Sequence, residues 1–259
     1  MLSVSALSSY VFCPRQFFVR YVLKEGVPPK KVIALGLIKH RVYELVGEHE
    51  EEIVRGLLPA HDPHAVFRRQ LLRFLEQSVR KYKHSLRGVQ VPLTEAFQSC
   101  MPAVAFEARD RAERVTPLLQ KGLSGEQLWE ALSPKLKSEY AVKSKILGLS
   151  GRIDRLACYD TGVVPIELKS GKPPGQGVWD THRLQVAAYA LLLSEQFGIE
   201  VDRGIIHYVD AGIQREVVMN PFLKEWVGRI RDACVAVLES KDVPKSCGRE
   251  GCEFCARFP

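Results

Sequence analysis

No stretch of this 259-residue chain is apolar for long enough to cross a bilayer. The longest runs, such as Leu184 to Leu193, fall far short of the roughly 20 residues a spanning helix needs. No membrane association is therefore expected. Met1 to Arg20 holds neither a basic leader nor a small-residue cleavage pattern before Cys13, so this segment reads as part of the fold and the protein as cytoplasmic. Repeats and low-complexity tracts are missing, and the composition excludes a disordered, collagen-like or disulfide-packed chain. Acidic residues are in deficit, with 30 Asp and Glu against 37 Lys and Arg, a net charge of +7. That excess attracts polyanions, nucleic acid first among them, although a solvated basic surface accounts for it equally well.

Of the seven cysteines, Cys100, Cys158 and Cys234 lie in apolar or mixed stretches and read as small buried hydrophobes. Cys247, Cys252 and Cys255 crowd the last thirteen residues, and Cys13 stands near the start. Disulfides are not expected in a reducing cytosol.

Four stretches follow one another. Residues 1–58 read as helical, with Pro14 opening a helix that carries Phe17, Phe18, Tyr21 and Val22, and a second helix from about Lys31 through His40 to Arg55. Residues 59–134 read as a helical insert or cap. Asp62-Pro63 starts a helix with Phe67, Leu71, Leu75 and Val79 on one face and Arg68, Arg69, Arg73, Arg80, Lys81 and Lys83 on the other. A second run, about Thr94 to Lys121, adds Arg109, Arg111 and Arg114. A DNA-binding basic face and an ordinary solvated surface are equally good readings, Arg68, Arg69 and Arg73 being the candidate contacts. Residues 135–240 change period: Tyr140–Val142, Ile146–Cys158 and Val163–Lys169 read as antiparallel strands, then come a helix from Asp180 to Phe197, strands Gly204–Val209 and Arg215–Met219, and a helix from Pro221 to Ser240. Residues 241–259 form the cysteine tail. The class is α/β.

The hairpin Gly151-Arg-Ile-Asp154 … Pro165-Ile-Glu167-Leu-Lys169 carries the chemistry. With Asp160-Thr161 as a two-residue turn, Asp154 sits opposite Glu167; with Thr161-Gly162, opposite Lys169. Both registers put Asp154, Glu167 and Lys169 on one face, whereas a three-residue turn would not. Two carboxylates and a lysine converging there suit a hard divalent cation and an activated water, although a cross-strand surface salt bridge is the plainer alternative. On the next helix His182, Gln185 and Tyr189 form a polar stripe able to orient the lysine or touch a DNA backbone. The dense Cys247-x4-Cys252-x2-Cys255 set binds a metal, zinc or iron–sulfur, with Cys13 the best candidate for fourth ligand.

Asp154, Glu167-x-Lys169 and Gln185-x-x-x-Tyr189, in that order, resemble the RecB-like branch of the PD-(D/E)-x-K nucleases. With Cys13 upstream and three cysteines downstream, and no Walker-type Gly-x-x-x-x-Gly-Lys motif, the chain looks like the stand-alone CRISPR-associated Cas-four family. The resemblance covers the first sixty residues and everything from about Ser138. It implies a restriction-endonuclease-type core, a mixed central sheet flanked by helices, with an iron–sulfur cluster joining the termini. It implies His40, Asp154 and Glu167 as ligands of magnesium or manganese, Lys169 as catalytic, and Gln185 and Tyr189 as supporting. Cys13, Cys247, Cys252 and Cys255 would hold the cluster, [4Fe–4S] favoured over [2Fe–2S]. The activity implied is cleavage of single-stranded DNA or single-stranded overhangs, trimming spacer precursors beside the integrase proteins Cas-one and Cas-two. A RecB-like repair or mobile-element nuclease, a non-catalytic nucleic-acid adaptor and a bare zinc module are the competing readings.

Overall fold

Strand β3 (Leu149–Tyr159) organises the molecule, whose computed structural model describes residues 1–26, 28 and 30–258. Its two edges serve three partners. β2 (Lys135–Ser144) runs antiparallel along one edge, from Lys135 opposite Cys158 to Ser144 opposite Leu149. β4 (Gly162–Lys169) runs antiparallel along the other, but pairs only from Tyr159–Gly162 to Arg155–Ile166. The first two residues of β3 are then joined by β1 (Leu2–Ser3), in parallel. β5 (Arg203–Tyr208) lies parallel to β4, and β6 (Ile213–Val218) antiparallel to β5, completing a six-stranded mixed sheet among the described residues. The turn is Asp160-Thr161, the first of the two registers considered. β1 went unforeseen because two residues carry no periodicity.

A parallel β4–β5 pair needs a crossover, and α9 (Asp180–Phe197) supplies it. With α1 (Val4–Phe12) and α10 (Pro221–Ser240) it covers one face of the sheet. Leu184, Ala187, Ala188 and Leu192 are buried there against Val4, Leu7 and Ile206. Full burial of a leucine is worth about 1.5–3 kcal/mol. The opposite face meets α3 (Lys31–Glu48) and α7 (Leu93–Gln120) through Tyr43, Ala103, Ala157, Ile166 and Leu168.

Residues 59–134 form α5 (Pro63–Lys81), α6 (Lys83–Gly88), α7 and α8 (Gly125–Ala131), packed on α3 and α4 (Glu50–Arg55) around Phe67, Leu71 and Leu75. Asp62 caps α5, its carboxylate accepting the His64 N–H at 2.9 Å. The single helix expected from Lys31 to Arg55 is broken: His49 leaves helical geometry and separates α3 from α4.

A second correction concerns the insert's basic residues. Arg111 is wholly buried, between Glu50 at 2.6 Å and Glu107. Glu107 also accepts from Arg155 of β3, whose guanidinium lies 4.4 Å from the Tyr43 ring centroid. Arg114 turns inward to Glu50 at 2.8 Å. Arg111 and Arg114 thus tie the insert to α4 instead of facing solvent, and Arg155 joins it to the sheet through Glu107. Helical periodicity could not distinguish the two because the partners, Glu50 and Arg155, are remote in sequence.

Candidate active site

Along a regular strand, residues three apart occupy opposite faces. Ile153 and Leu156 nonetheless both pack into the core under α9, while Ala157 packs on the other side. β2 reverses in the same way, Leu136 lying with Ala157 and Tyr140 with Ile153. Both reversals fall at one level, where Glu139 faces Asp154 between the pairs Ser138–Arg155 and Tyr140–Ile153. Glu139 adopts a left-handed φ of 51° there, a conformation that costs a non-glycine about 1–3 kcal/mol. Beyond Arg155–Ile166 the β3–β4 ladder stops, and the Asp154 carboxylate accepts the Leu168 N–H at 2.7 Å in its place. Asp154 is thus fixed by the very gap its strands leave.

Helix α3 brings His40 into that gap, with Nδ1 at 3.3 Å from Asp154 Oδ1. His40, Glu139 and Asp154 each offer a donor atom within 4.8 Å of the others, a set able to hold a metal ion. Burial opposes a charge on His40, but the Asp154 carboxylate outweighs it and raises the His40 pKa. Burial likewise opposes the charge on Asp154, and His40 and the Leu168 N–H overcome it, lowering the Asp154 pKa.

Glu167 lies behind this cluster. Its Oε1 accepts from Lys169 Nζ at 2.8 Å and from Gln185 Nε2 at 2.6 Å, while Oε2 is buried and without a partner. Burial and the neighbouring Asp154 charge push its pKa up to about 7. An orphaned, desolvated carboxylate oxygen beside a His–Glu–Asp set has the hard-donor chemistry that magnesium or manganese requires. Gln185 Oε1 accepts from Lys169 Nζ at 2.7 Å, and Tyr189 donates to the Arg152 carbonyl at 2.8 Å. Gly151 makes room for this tyrosine, since a Cβ there would stand 2.6 Å from Tyr189 Cε1.

The structure thus brings together His40, Asp154, Glu167, Lys169, Gln185 and Tyr189. Gln185 and Tyr189 are buried under the sheet, and His182 departs from the expected stripe: its Nδ1 meets the Tyr208 hydroxyl at 3.1 Å. Arg68, Arg69 and Arg73 are exposed on α5, and Arg69 and Arg73 line a separate groove with His49 and Glu52. Two residues escaped the sequence reading. Glu139 was invisible because its partner strand and its backbone turn are both tertiary. Asp210, in the β5–β6 turn, accepts from Lys39 beside His40 and from the Gly171 N–H at 2.9 Å, bracing α3 against the segment after Lys169.

Cys13, between α1 and α2 (Pro14–Phe17), meets Cys255 at 3.7 Å and Cys252 at 3.8 Å, and Cys255 meets Cys247 at 3.5 Å. Four thiols from opposite ends of the chain form a soft donor set able to hold zinc or an iron–sulfur centre. Arg15 fastens the tail, donating to the carbonyls of Pro244 and Cys255 at 3.0 Å each. An Arg249 hydrogen bond lowers the Cys247 pKa to about 6, toward the thiolate a metal needs. Among the described residues no helix is long and apolar enough to cross a membrane.

Residues 1–257 match the family model for the PD-(D/E)XK nuclease superfamily. A CRISPR-associated exonuclease Cas4/endonuclease Cas1 fusion from Leptospira interrogans serogroup Icterohaemorrhagiae serovar Lai (strain 56601) is 27% identical over 146 residues. The match takes in 52% of this chain and 27% of that protein, so about half of this chain corresponds to about a quarter of its relative. The solved structure of SSO0001 superposes with a TM-score of 0.33 at 13% identity, over 89% of this chain and 85% of that one, a likeness too distant to carry an argument.

Proposed function

This chain belongs to the PD-(D/E)XK nuclease superfamily, and on that premise we propose that it is a magnesium- or manganese-dependent deoxyribonuclease acting on single-stranded DNA or single-stranded overhangs. The observation that carries the reading is the Lys169 ammonium, held by Glu167 and Gln185 beside the His40–Glu139–Asp154 set. His40, Asp154 and Glu167 are the proposed metal ligands, with Glu139 added to them. The ion would supply a water of lowered pKa and charge stabilisation at the phosphodiester. Lys169 orients the attacking water and offsets charge developing on the phosphate oxygens. Glu167 and Gln185 fix its ammonium at a set position, and Tyr189 holds Gln185. Arg68, Arg69 and Arg73 are proposed as peripheral contacts to the DNA backbone; their exposure supports this.

The likeness to a Cas4/Cas1 fusion supports a role in trimming spacer precursors beside Cas-one and Cas-two proteins. For the thiol site a [4Fe–4S] cluster is the first reading, on the Cys13 and Cys247-x4-Cys252-x2-Cys255 pattern. Zinc is the second, because sulfurs 3.5–3.8 Å apart match the about 3.8 Å spanned by a tetrahedral ion with about 2.3 Å bonds. Iron and zinc analysis of anaerobically purified protein separates them. The activity is tested on end-labelled single-stranded, overhang and blunt duplex DNA with manganese, magnesium or EDTA. Metal-dependent cutting confined to single strands and overhangs supports the proposal, and equal cutting of blunt duplex contradicts the substrate class.

A further inference from the structure

Helix α3 presents more than His40 to the cavity. Ile33, Leu37 and His40, at spacings of four and three, lie along one face of the helix. Ile33 is 48% exposed and Leu37 42% exposed, although both are large aliphatic side chains. They line the same cavity of about 510 Å³ as His40, Asp154 and Lys169. Tyr82, at the end of α5, lines it too, with the Lys81 ammonium 5.7 Å from its ring centroid. The wall formed by β3 holds Arg152 and Asp154, the Arg152 side chain 68% exposed and 3.7 Å from Glu139. Exposed aliphatic carbon therefore lies along α3, beside Arg41 and Glu44, and the facing wall carries Arg152 and Lys169 together with Glu139 and Asp154.

We infer that Ile33, Leu37 and Tyr82 form a subsite for an unstacked nucleobase of the strand being cut, and so determine the preference for single-stranded DNA. The inference rests on the nuclease reading above. A phosphodiester backbone gains nothing from aliphatic carbon, whereas a base face does, and in duplex DNA the base faces are hidden in the stack. Bases laid on apolar or aromatic side chains while cations track the backbone is the general means of holding single strands. At 1.5 Å per residue, Ile33 stands about 10 Å along the helix from His40, within reach of nucleotides flanking a phosphate bound there. Arg152 and Lys169 meet the backbone from the opposite wall.

The test compares a short fluorescent oligonucleotide with the same strand carrying abasic positions, by anisotropy in EDTA and by cleavage in manganese. The proteins are wild type, Ile33→Ser/Leu37→Ser, Tyr82→Ala and Tyr82→Phe. Wild type binds the base-bearing strand about tenfold more tightly than the abasic one. The aliphatic double variant and Tyr82→Ala bind both strands alike, with KM raised and kcat within about twofold, while Tyr82→Phe keeps the wild-type ratio. Variants that retain the tenfold ratio overturn the subsite. Absence of metal-dependent cleavage in wild type would sink the nuclease reading instead, and the anisotropy ratio would still decide whether these side chains contact bases. Thermal melting checks that these surface substitutions leave the fold intact.

Discussion

Gln185 grips Glu167 through its amide nitrogen at 2.6 Å while its amide oxygen accepts from the ammonium that Glu167 also binds. One helical side chain therefore fixes both the orphaned carboxylate and the lysine. Gln185→Ala is expected to lower kcat about 10–100-fold with KM little changed, and Tyr189→Phe, which keeps the ring and loses the hydroxyl's bonds to the Arg152 carbonyl and to Gln185 Nε2, by less than tenfold. Single-turnover cleavage separates the two, and an undisturbed Gln185→Ala rate would remove Gln185 from the site.

Glu139 carries a left-handed backbone to bring its carboxylate beside Asp154. Glu139→Gln keeps the shape and removes the charge. The manganese concentration for half-maximal cleavage is expected to rise about tenfold or more, with saturating rates largely recovered. A metal titration identical to wild type would make Glu139 a structural residue only.

Arg111 is enclosed by Glu50 and Glu107, and Glu107 is shared with Arg155. Burial raises the Glu107 pKa, yet Arg155 and Arg111 together draw it down to about 2. Removing one partner of such a buried set leaves charge without compensation. Arg111→Met is expected to cost about 3–5 kcal/mol in urea unfolding. A loss below about 1 kcal/mol would show that the insert is held by its apolar contacts alone.

His207 is buried between Tyr43 and Phe106 with neither ring nitrogen paired. Burial, helped by Arg155, depresses its pKa to about 4, against about 6.5 unfolded. The unfolded chain therefore binds the proton more readily, and stability falls as pH drops from about 6.5 toward 4. Between pH 7 and pH 5 this group alone removes about 2 kcal/mol. His207→Phe should remove that part of the pH dependence in denaturation midpoints at the two pH values. The same slope in both proteins would show that the depression is absent.

The hairpin was readable from its turn residues, but these left two registers open; the structure takes Asp160-Thr161, which puts Asp154 level with Glu167. Strand alternation alone does not put Asp154 on a common face with Glu167 and Lys169. Alternation breaks at Asp154, as the common burial of Ile153 and Leu156 shows, and the site is built on that break. The spacing of Gln185 and Tyr189 located their helix face, but a buried Gln–Tyr pair and a surface one share a sequence pattern. Glu139, Asp210 and the inward turn of Arg111 depend on partners far along the chain, which no local period encodes. The cysteines stood out by crowding, while the closeness of Cys13 to Cys255 is a product of the fold.

Manganese binding and DNA cleavage, measured on the same preparations of wild type, Lys169→Ala and Asp154→Ala, test the central claim most directly. Lys169→Ala is expected to bind manganese, by electron paramagnetic resonance titration, within a fewfold of wild type while cutting at least about a hundredfold more slowly. Asp154→Ala is expected to lose both binding and cutting. Cleavage by Lys169→Ala at the wild-type rate, or manganese binding unaffected in Asp154→Ala, would contradict the assignment of this cluster as a metal-dependent nuclease site.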